Sequence, residues 1–315
     1  MSDLVTLAEI EAAARRLAGV AVRTPLVRYP DVPLWIKPES LQPVGAFKLR
    51  GAYAAMTSAP LGSPLPAGVV AHSSGNHAQA VAYAARELGV RAVLVIPHDA
   101  PEVKVSECVR LGAEVVLVEP TMEARTRTAE QLARAHGYEL IAPFDDRRVI
   151  AGQGTVGLEI MADHPGPGVV LVPVGGGGLL AGTAVAVKSL HRGTRVVGVE
   201  PALAADARDS FLLGRPVSWD MAETRRTAAD ALRVDRVGDL PFQHITEYVD
   251  DIVTVTEEEI RETMRLLAVR TRLVAEPAGA VAAAAFLFHR DELPPGEGVA
   301  VLSGGNVDPA LLFPA

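Results

Sequence analysis

Cysteine is almost missing from this sequence. Cys108 is the only one in 315 residues, which excludes an intramolecular disulfide framework and any cysteine metal cluster; it is expected to pack as a small apolar residue of a helix. Aromatic residues supply only 4% of the chain, a scarcity that carries no functional message by itself. Positive charge is in deficit as well: 30 Lys and Arg stand against 38 Asp and Glu, a net charge of −8. Nucleic acid and anionic membrane surfaces both need clustered positive charge, so neither is expected as a partner, and small molecules are. No uninterrupted apolar run reaches membrane-spanning length, and the first residues are acidic and polar rather than basic and then apolar. A cytoplasmic location is expected. What the chain does have is apolar mass: 49% hydrophobic residues, enough to bury a large core in two domains or one large α/β unit.

Along the chain, Leu7, Ile10, Ala14 and Leu17 recur at helical spacing, and Thr24-Pro25-Leu26 then turns the backbone extended. Leu34-Trp35-Ile36-Lys37 reads as a short strand, and Glu39-Ser40-Leu41-Gln42 as the loop that delivers Lys48 to the head of a helix. From about residue 68 strands and helices alternate. Val69 to His72 precedes a helix from Asn76, Ala92 to Ile96 precedes one from Glu102, and Val115 to Val118 precedes one from Met122. Short β-branched runs between amphipathic helices imply crossover connections and a parallel sheet. The same rhythm returns with a helix near Val149, Val169 to Val174, a helix from about Leu179, Val196 to Glu200, and Val299 to Leu302. Residues 206 to 245 are charged and carry no period that assigns an element. Pro60, Gly62, Pro64, Pro66 and Gly68 mark one boundary, and Pro143-Phe144-Asp145-Asp146 a second. The expected fold is α/β, two open twisted domains with mainly parallel sheets and a cleft between them: residues 1–60 with 146–315 form the larger, and residues 61–145 the smaller.

Four stretches fall on strand-to-loop junctions, where ligands of open α/β sheets gather. Lys48, between Phe47 and Leu49 and behind Gly45, can be drawn partly out of water, which favours the neutral, nucleophilic amine and lets it hold an aldehyde cofactor as a Schiff base; most lysines are only solvated charges. Gly175-Gly176-Gly177-Gly178, between a buried strand and a helix, exposes backbone N–H groups at a positive helix end and reads as a phosphate cup, against the plain alternative of a flexible turn. The run lacks the Lys-Ser/Thr ending of a nucleotide loop and the spaced glycines of a dinucleotide fingerprint. Ser73-Ser74-Gly75-Asn76-His77 offers hydroxyls and free N–H groups to a carboxylate, or merely caps a helix. Ser303, in Ser303-Gly304-Gly305-Asn306, can present its hydroxyl to a ring nitrogen, or sit in an ordinary turn.

In that order these motifs resemble the fold type II pyridoxal-phosphate enzymes of the tryptophan synthase β-subunit kind. Within them the chain resembles the serine/threonine dehydratase and serine racemase group, from Lys37-Pro38-Glu39-Ser40-Leu41-Gln42 through Ser303 to Asp308. The resemblance implies pyridoxal 5'-phosphate bound through Lys48, with Phe47 beside it, Asn76 at the ring oxygen, Gly175 to Leu179 around the phosphate and Ser303 at the ring nitrogen. The loop of Ser73, Ser74, Gly75, Asn76 and His77 would bind the substrate carboxylate. It further implies a Mg²⁺ or Ca²⁺ ion on Glu200, the Ala204 carbonyl and Asp206, hard oxygen ligands of the right kind. Glu276 matches a cleft residue but reads equally as a helix-start charge, and Gln79, Lys104 and Asn306 match positions that touch ATP in some racemases. Ala46 and Ala231 depart from the group's commoner serine and glycine.

The implied reaction is dehydration of L-serine, L-threonine or a related β-hydroxy amino acid to a 2-oxo acid and ammonia, by an enzyme of a group that is commonly homodimeric. Lys48 would remove the α-proton. Alternatives are a serine racemase, with Ser74 as the proton carrier on the opposite face, and a 3-hydroxyaspartate dehydratase. A non-catalytic amino-acid sensor on the same scaffold is the reading from another class, and Lys48 argues against it.

Overall fold

The structure, a computed structural model, describes residues 4–59, 63–73, 75–100 and 102–308. The chain opens with α1 (Leu7–Leu17), β1 (Val27–Arg28), β2 (Leu34–Pro38) and α2 (Lys48–Met56). It alternates through β3 (Gly68–His72), α3 (Asn76–Leu88), β4 (Arg91–Pro97), α4 (Glu102–Arg110), β5 (Glu114–Val118), α5 (Met122–His136) and β6 (Glu139–Leu140). There follow α6 (Arg147–Asp163), β7 (Val169–Pro173), α7 (Gly178–Leu190), β8 (Arg195–Pro201), α8 (Asp206–Leu213), α9 (Met221–Thr224) and α10 (Asp239–Tyr248). The last elements are β9 (Asp251–Val255), α11 (Glu257–Thr271), α12 (Pro277–Phe288) and β10 (Gly298–Leu302).

Two sheets result. A four-stranded sheet in the order β5-β4-β3-β6 is parallel throughout, and a six-stranded sheet in the order β1-β2-β10-β7-β8-β9 is parallel except for β1. The α/β class with mainly parallel sheets is therefore the fold. Parallel strands covered by crossover helices on both faces have no wet side, and β7 and β10 are accordingly buried at every position. Helix α12 is buried from Pro277 to Phe286, so its alanine-rich sequence, apolar on all sides, suits an interior helix. Helices α6 and α7 cross at small residues: a Cβ on Gly182 would lie 2.2 Å from the Ile150 carbonyl oxygen, and one on Gly154 2.8 Å from the Gly182 carbonyl oxygen.

The helices expected from Asn76, Glu102 and Met122 start there, and Cys108 is buried and unbridged. Residues 206 to 245, unassigned from sequence, hold α8, α9, a 3₁₀ turn at Asp230–Leu232 and most of α10. These are short elements fixed by packing, with Val237, Phe242 and Ile245 inserted into the core beside Leu180 and Val196. Helix α2 packs in the core of the four-stranded sheet through Leu49, Ala52, Ala55 and Met56. Among the described residues no helix is long and apolar enough to cross a membrane.

Candidate active site

Lys48 is placed by charges that lie behind it. Two residues further along α2, Arg50 is 1% exposed and grips Glu39 through both carboxylate oxygens, at 2.7 and 2.9 Å. The same guanidinium grips Glu159 of α6 at 2.7 and 2.9 Å. Lys37 of β2, fully buried, donates to Glu159 at 2.5 Å and to the Thr24 carbonyl at 2.6 Å. Two cations and two anions thus balance in the interior and lock β2, the turn after it, α2 and α6 together. In front of them the backbone N–H of Phe47 donates to the Ser303 carbonyl at 3.0 Å, and that of Gly305 to the Gly45 carbonyl at 2.9 Å. Gly45 has φ +69°, and a Cβ there would lie 2.3 Å from Asn306 Oδ1. The loop before Lys48 and the loop after β10 are therefore one unit.

The Lys48 amine keeps some solvent contact at the cleft, yet enough protein surrounds it that desolvation lowers its pKa to about 8. Its Nζ donates to the Pro143 carbonyl at 2.7 Å and stands 5.0 Å from the centre of the Phe47 ring. The glycine run turns at Gly177, φ +88°, which caps α7 without any side-chain partner, so the first N–H groups of that helix stay free. Phe144 packs against the run: a Cβ on Gly176 would come within 2.2 Å of its ring. Ser303 is 4% exposed, and its hydroxyl has only a long 3.4 Å contact with the Ala278 carbonyl. Asn76 Nδ2 donates to Glu276 at 2.7 Å, and Asn76 Oδ1 accepts from Asn306 at 2.9 Å.

Phe47, Lys48, Asn76, Gly175, Gly176, Gly177, Gly178, Leu179 and Ser303 all line one cavity, together with Phe144 and Glu276. A cleft of about 520 Å³ shares Lys48, Asn76, Phe144, Gly176 and Glu276 with it and adds Ser73, Gly75 and His77. Ser74 lies outside the described residues. His77 faces the Ile141 carbonyl through Nε2 at 3.0 Å, which makes Nε2 the protonated nitrogen. Burial and, secondarily, the Lys48 charge push its pKa down to about 3, so the ring is neutral. An anion at this loop is left to the backbone N–H groups and Ser73 rather than to an imidazolium. The amine, the free N–H groups at a helix end, the weakly held Ser303 hydroxyl and the aromatic walls fit a small phosphorylated aldehyde.

Glu276, which the sequence presents as a helix-start charge, caps α12 and is 3% exposed; burial, and then Asp230, raise its carboxyl to about 8. At neutral pH it is largely the neutral acid. Glu200 ends β8 and accepts N–H groups of Ala207 and Arg208 at 3.2 and 2.8 Å. Asp206 beside it is buried, and neither of its carboxylate oxygens has a partner. Burial raises both carboxyls, helped at Glu200 by the charge of Asp206 and at Asp206 by Asp235 and Asp209. Among the described residues no three His, Cys, Asp or Glu side chains converge, so a cation here would lean on two carboxylates, a carbonyl and water. The unmet oxygens of Asp206 fit such an ion.

A family model described as pyridoxal-phosphate dependent enzyme matches residues 17–304. The chain is 41% identical over 313 residues to an L-threonine ammonia-lyase of Thermotoga maritima, covering 97% of this chain and 76% of that one. It is also 41% identical over 275 residues to an L-threo-3-hydroxyaspartate ammonia-lyase of Saccharomyces cerevisiae, covering 87% and 83%. The crystal structure of serine racemase from Dictyostelium discoideum superposes with a TM-score of 0.90 at 39% identity, over 96% of this chain and 99% of that one.

Proposed function

The chain belongs to the pyridoxal-phosphate-dependent enzymes, and from that membership we propose that it is an ammonia-lyase that dehydrates small L-β-hydroxy amino acids. L-Serine, L-threonine or a close analogue would give a 2-oxo acid and ammonia. The observation that carries the reading is the convergence, in one cavity, of a lysine amine of lowered pKa, a glycine N–H cup and a serine hydroxyl.

Bound there, pyridoxal phosphate supplies an electron sink for bond breaking at the substrate's α-carbon. The chain's residues do the rest. N–H groups of Gly175 to Leu179, at the positive end of α7, hold the phosphate. Ser303 offers a hydroxyl rather than a carboxylate to the ring nitrogen, so the protein gives that nitrogen no formal charge and favours prompt loss of the β-hydroxyl. Ser73 and the backbone N–H groups of the loop through Gly75, Asn76 and His77 receive the substrate carboxylate. Lys48 Nζ, neutral in a useful fraction near pH 8, takes the α-proton. Phe47 and Phe144 wall the reacting region from water. Glu200, the Ala204 carbonyl and Asp206 would hold Mg²⁺ or Ca²⁺, whose charge would offset two buried carboxylates. The division into residues 61–145 and the remainder, a homodimer and a cytoplasmic location belong to the same reading. Serine racemisation at Ser74 is the second reading, supported by the likeness to a racemase.

The test is the purified protein with the cofactor. A visible band that borohydride fixes onto the Lys48 peptide, and 2-oxo acid release from L-serine or L-threonine, are the expected results. Lys48→Ala loses both and stays folded. A band without any 2-oxo acid, or trapping on another lysine, overturns the assignment; a chiral assay for D-serine separates the racemase reading.

A further inference from the structure

Away from the active site, a cavity of about 390 Å³ shares no residue with the cleft or with the cavity of the glycine cup. Pro25, Leu26 and Trp35 give it apolar walls, and Arg23 and Asp163 give it one charge of each sign. Those two side chains pair with each other, yet they are 59% and 27% exposed. An ion pair so open to water contributes little to stability, so each end can exchange its partner for a group on a ligand. Trp35 adds a donor. The Arg28 guanidinium stands 5.9 Å from the centre of its ring and His164 packs edge-on at 5.9 Å, but the indole N–H is buried and has no acceptor among the described residues. A buried donor without an acceptor is unfavourable, and an acceptor brought by a ligand relieves it. His164, also in the wall, is already engaged through Nε2 with Glu297 at 2.8 Å.

Both ends of the ion pair belong to segments that hold the buried charges behind Lys48. Arg23 stands between Val22, whose carbonyl accepts from Arg50 at 3.2 Å, and Thr24, whose carbonyl accepts from Lys37 at 2.6 Å and whose hydroxyl donates to Glu39 at 2.8 Å. Asp163 ends α6, one turn after Glu159, the carboxylate that Arg50 and Lys37 share. A ligand that bridges Arg23 and Asp163 therefore fastens together the two segments between which Arg50 is gripped, and α2 with it.

We propose that this cavity is a second ligand site and that it takes a free α-amino acid with an apolar side chain. The carboxylate of the ligand replaces Asp163 on Arg23 and meets the Trp35 N–H, its ammonium replaces Arg23 on Asp163, and its side chain packs on Pro25, Leu26 and Trp35. A lone carboxylate or a lone amine would satisfy one end of the ion pair and strand the other, so the zwitterion is preferred over either. The cavity has the volume of a small-molecule site. An amino acid without a β-hydroxyl has nothing to eliminate, so it acts by binding alone. Because it fastens the support of α2, it tightens the hold on the cofactor at Lys48, and by reciprocity the cofactor tightens the hold on the amino acid.

Trp35 supplies its own reporter. The chain has two tryptophans, and the other, Trp219, donates to Asp209 and lines none of these cavities. In holoenzyme carrying Trp219→Phe, L-norleucine should change the Trp35 emission saturably, with a Kd at least roughly 10-fold below those of hexanoate and pentylamine. Arg23→Gln and Asp163→Asn, at partly exposed positions, should each weaken norleucine by a similar factor. Norleucine that enters the cleft instead shifts the visible cofactor band, and Arg23→Gln leaves that shift in place. Norleucine should also slow cofactor release, by roughly fivefold in the wild type and not at all in Arg23→Gln. No saturable change in Trp35 emission, equal binding of hexanoate or pentylamine, or undiminished binding in both variants overturns the site. Norleucine binding that leaves cofactor release unchanged overturns the coupling to α2.

Discussion

Glu276 sits where an ionised carboxylate is least welcome: 3% exposed, with Asn76 as its side-chain donor. Its pKa rises from 4.5 to about 8, so the folded protein binds a proton there that the unfolded chain releases above the ordinary value. The contribution to stability is therefore present below about pH 4.5 and is lost as pH rises toward 8, with a limiting slope of about 1.4 kcal/mol per pH unit. Glu276→Gln keeps the shape and removes the titration. In cofactor-free protein, chemical denaturation should show wild type and variant close together at pH 5, with the variant increasingly the more stable toward pH 8; parallel profiles would mean that Glu276 stays ionised. At this scale Lys48, Asn76, the glycine run and Ser303 could be picked from the sequence because each stands at a strand-to-loop junction with its own chemistry. Glu276 could not be ranked, because Glu-Pro-Ala-Gly at a helix start looks the same whether the carboxyl faces water or a closed cleft.

Among elements, α2 depends most on interactions the local sequence does not display. It is nine residues long, too short to persist alone, and its first residue is Lys48. Arg50 anchors it by two paired contacts to Glu39 and two to Glu159. Removing one member of such a network strands the others as buried charges, and the cost is about 3–5 kcal/mol. Arg50→Met should therefore lower the unfolding free energy obtained from urea denaturation by that margin and weaken cofactor retention, since Lys48 is two residues away. A loss under about 1 kcal/mol, the size of a solvated surface pair, would refute the anchoring role. Parallel strands such as β7 declare themselves by unbroken apolar runs rich in β-branched residues. By contrast, β9, with its exposed Asp251 and half-buried Val253 and Thr254, and the two-residue strands β1 and β6 exist only because a neighbour offers an edge. Helices α8 to α10 are likewise assigned by packing, which no period of the sequence between 206 and 245 announces.

On the scale of the whole molecule, the cleft is formed by strands that end together. Lys48 follows β2, the Ser73 loop follows β3, the glycine run follows β7 and Ser303 follows β10. The alternation of strands and helices is enough to predict that convergence, whereas the closing contacts, such as Lys104 with Asp230 between α4 and the turn at 230–232, join residues 126 positions apart. The carboxylates at the end of β8 are a molecule-wide matter for another reason: an ion that binds only the folded state raises global stability by RT ln(1 + [ion]/Kd). Asp206 offers two buried oxygens without partners and Glu200 lies beside it. A chelator should lower the Tm of the holoenzyme, with Mg²⁺ or Ca²⁺ restoring it in a concentration-dependent way, about 2.7 kcal/mol of stability at a hundred times Kd. Asp206→Asn keeps the volume and removes the charge that calls for a cation. Its Tm should be indifferent to chelator and ion alike, and should exceed that of the chelated wild type, because the repulsion between the two carboxylates is gone. If wild type and variant respond equally to chelation, the ion sits elsewhere; if neither responds, Glu200 and Asp206 share their burial without a metal.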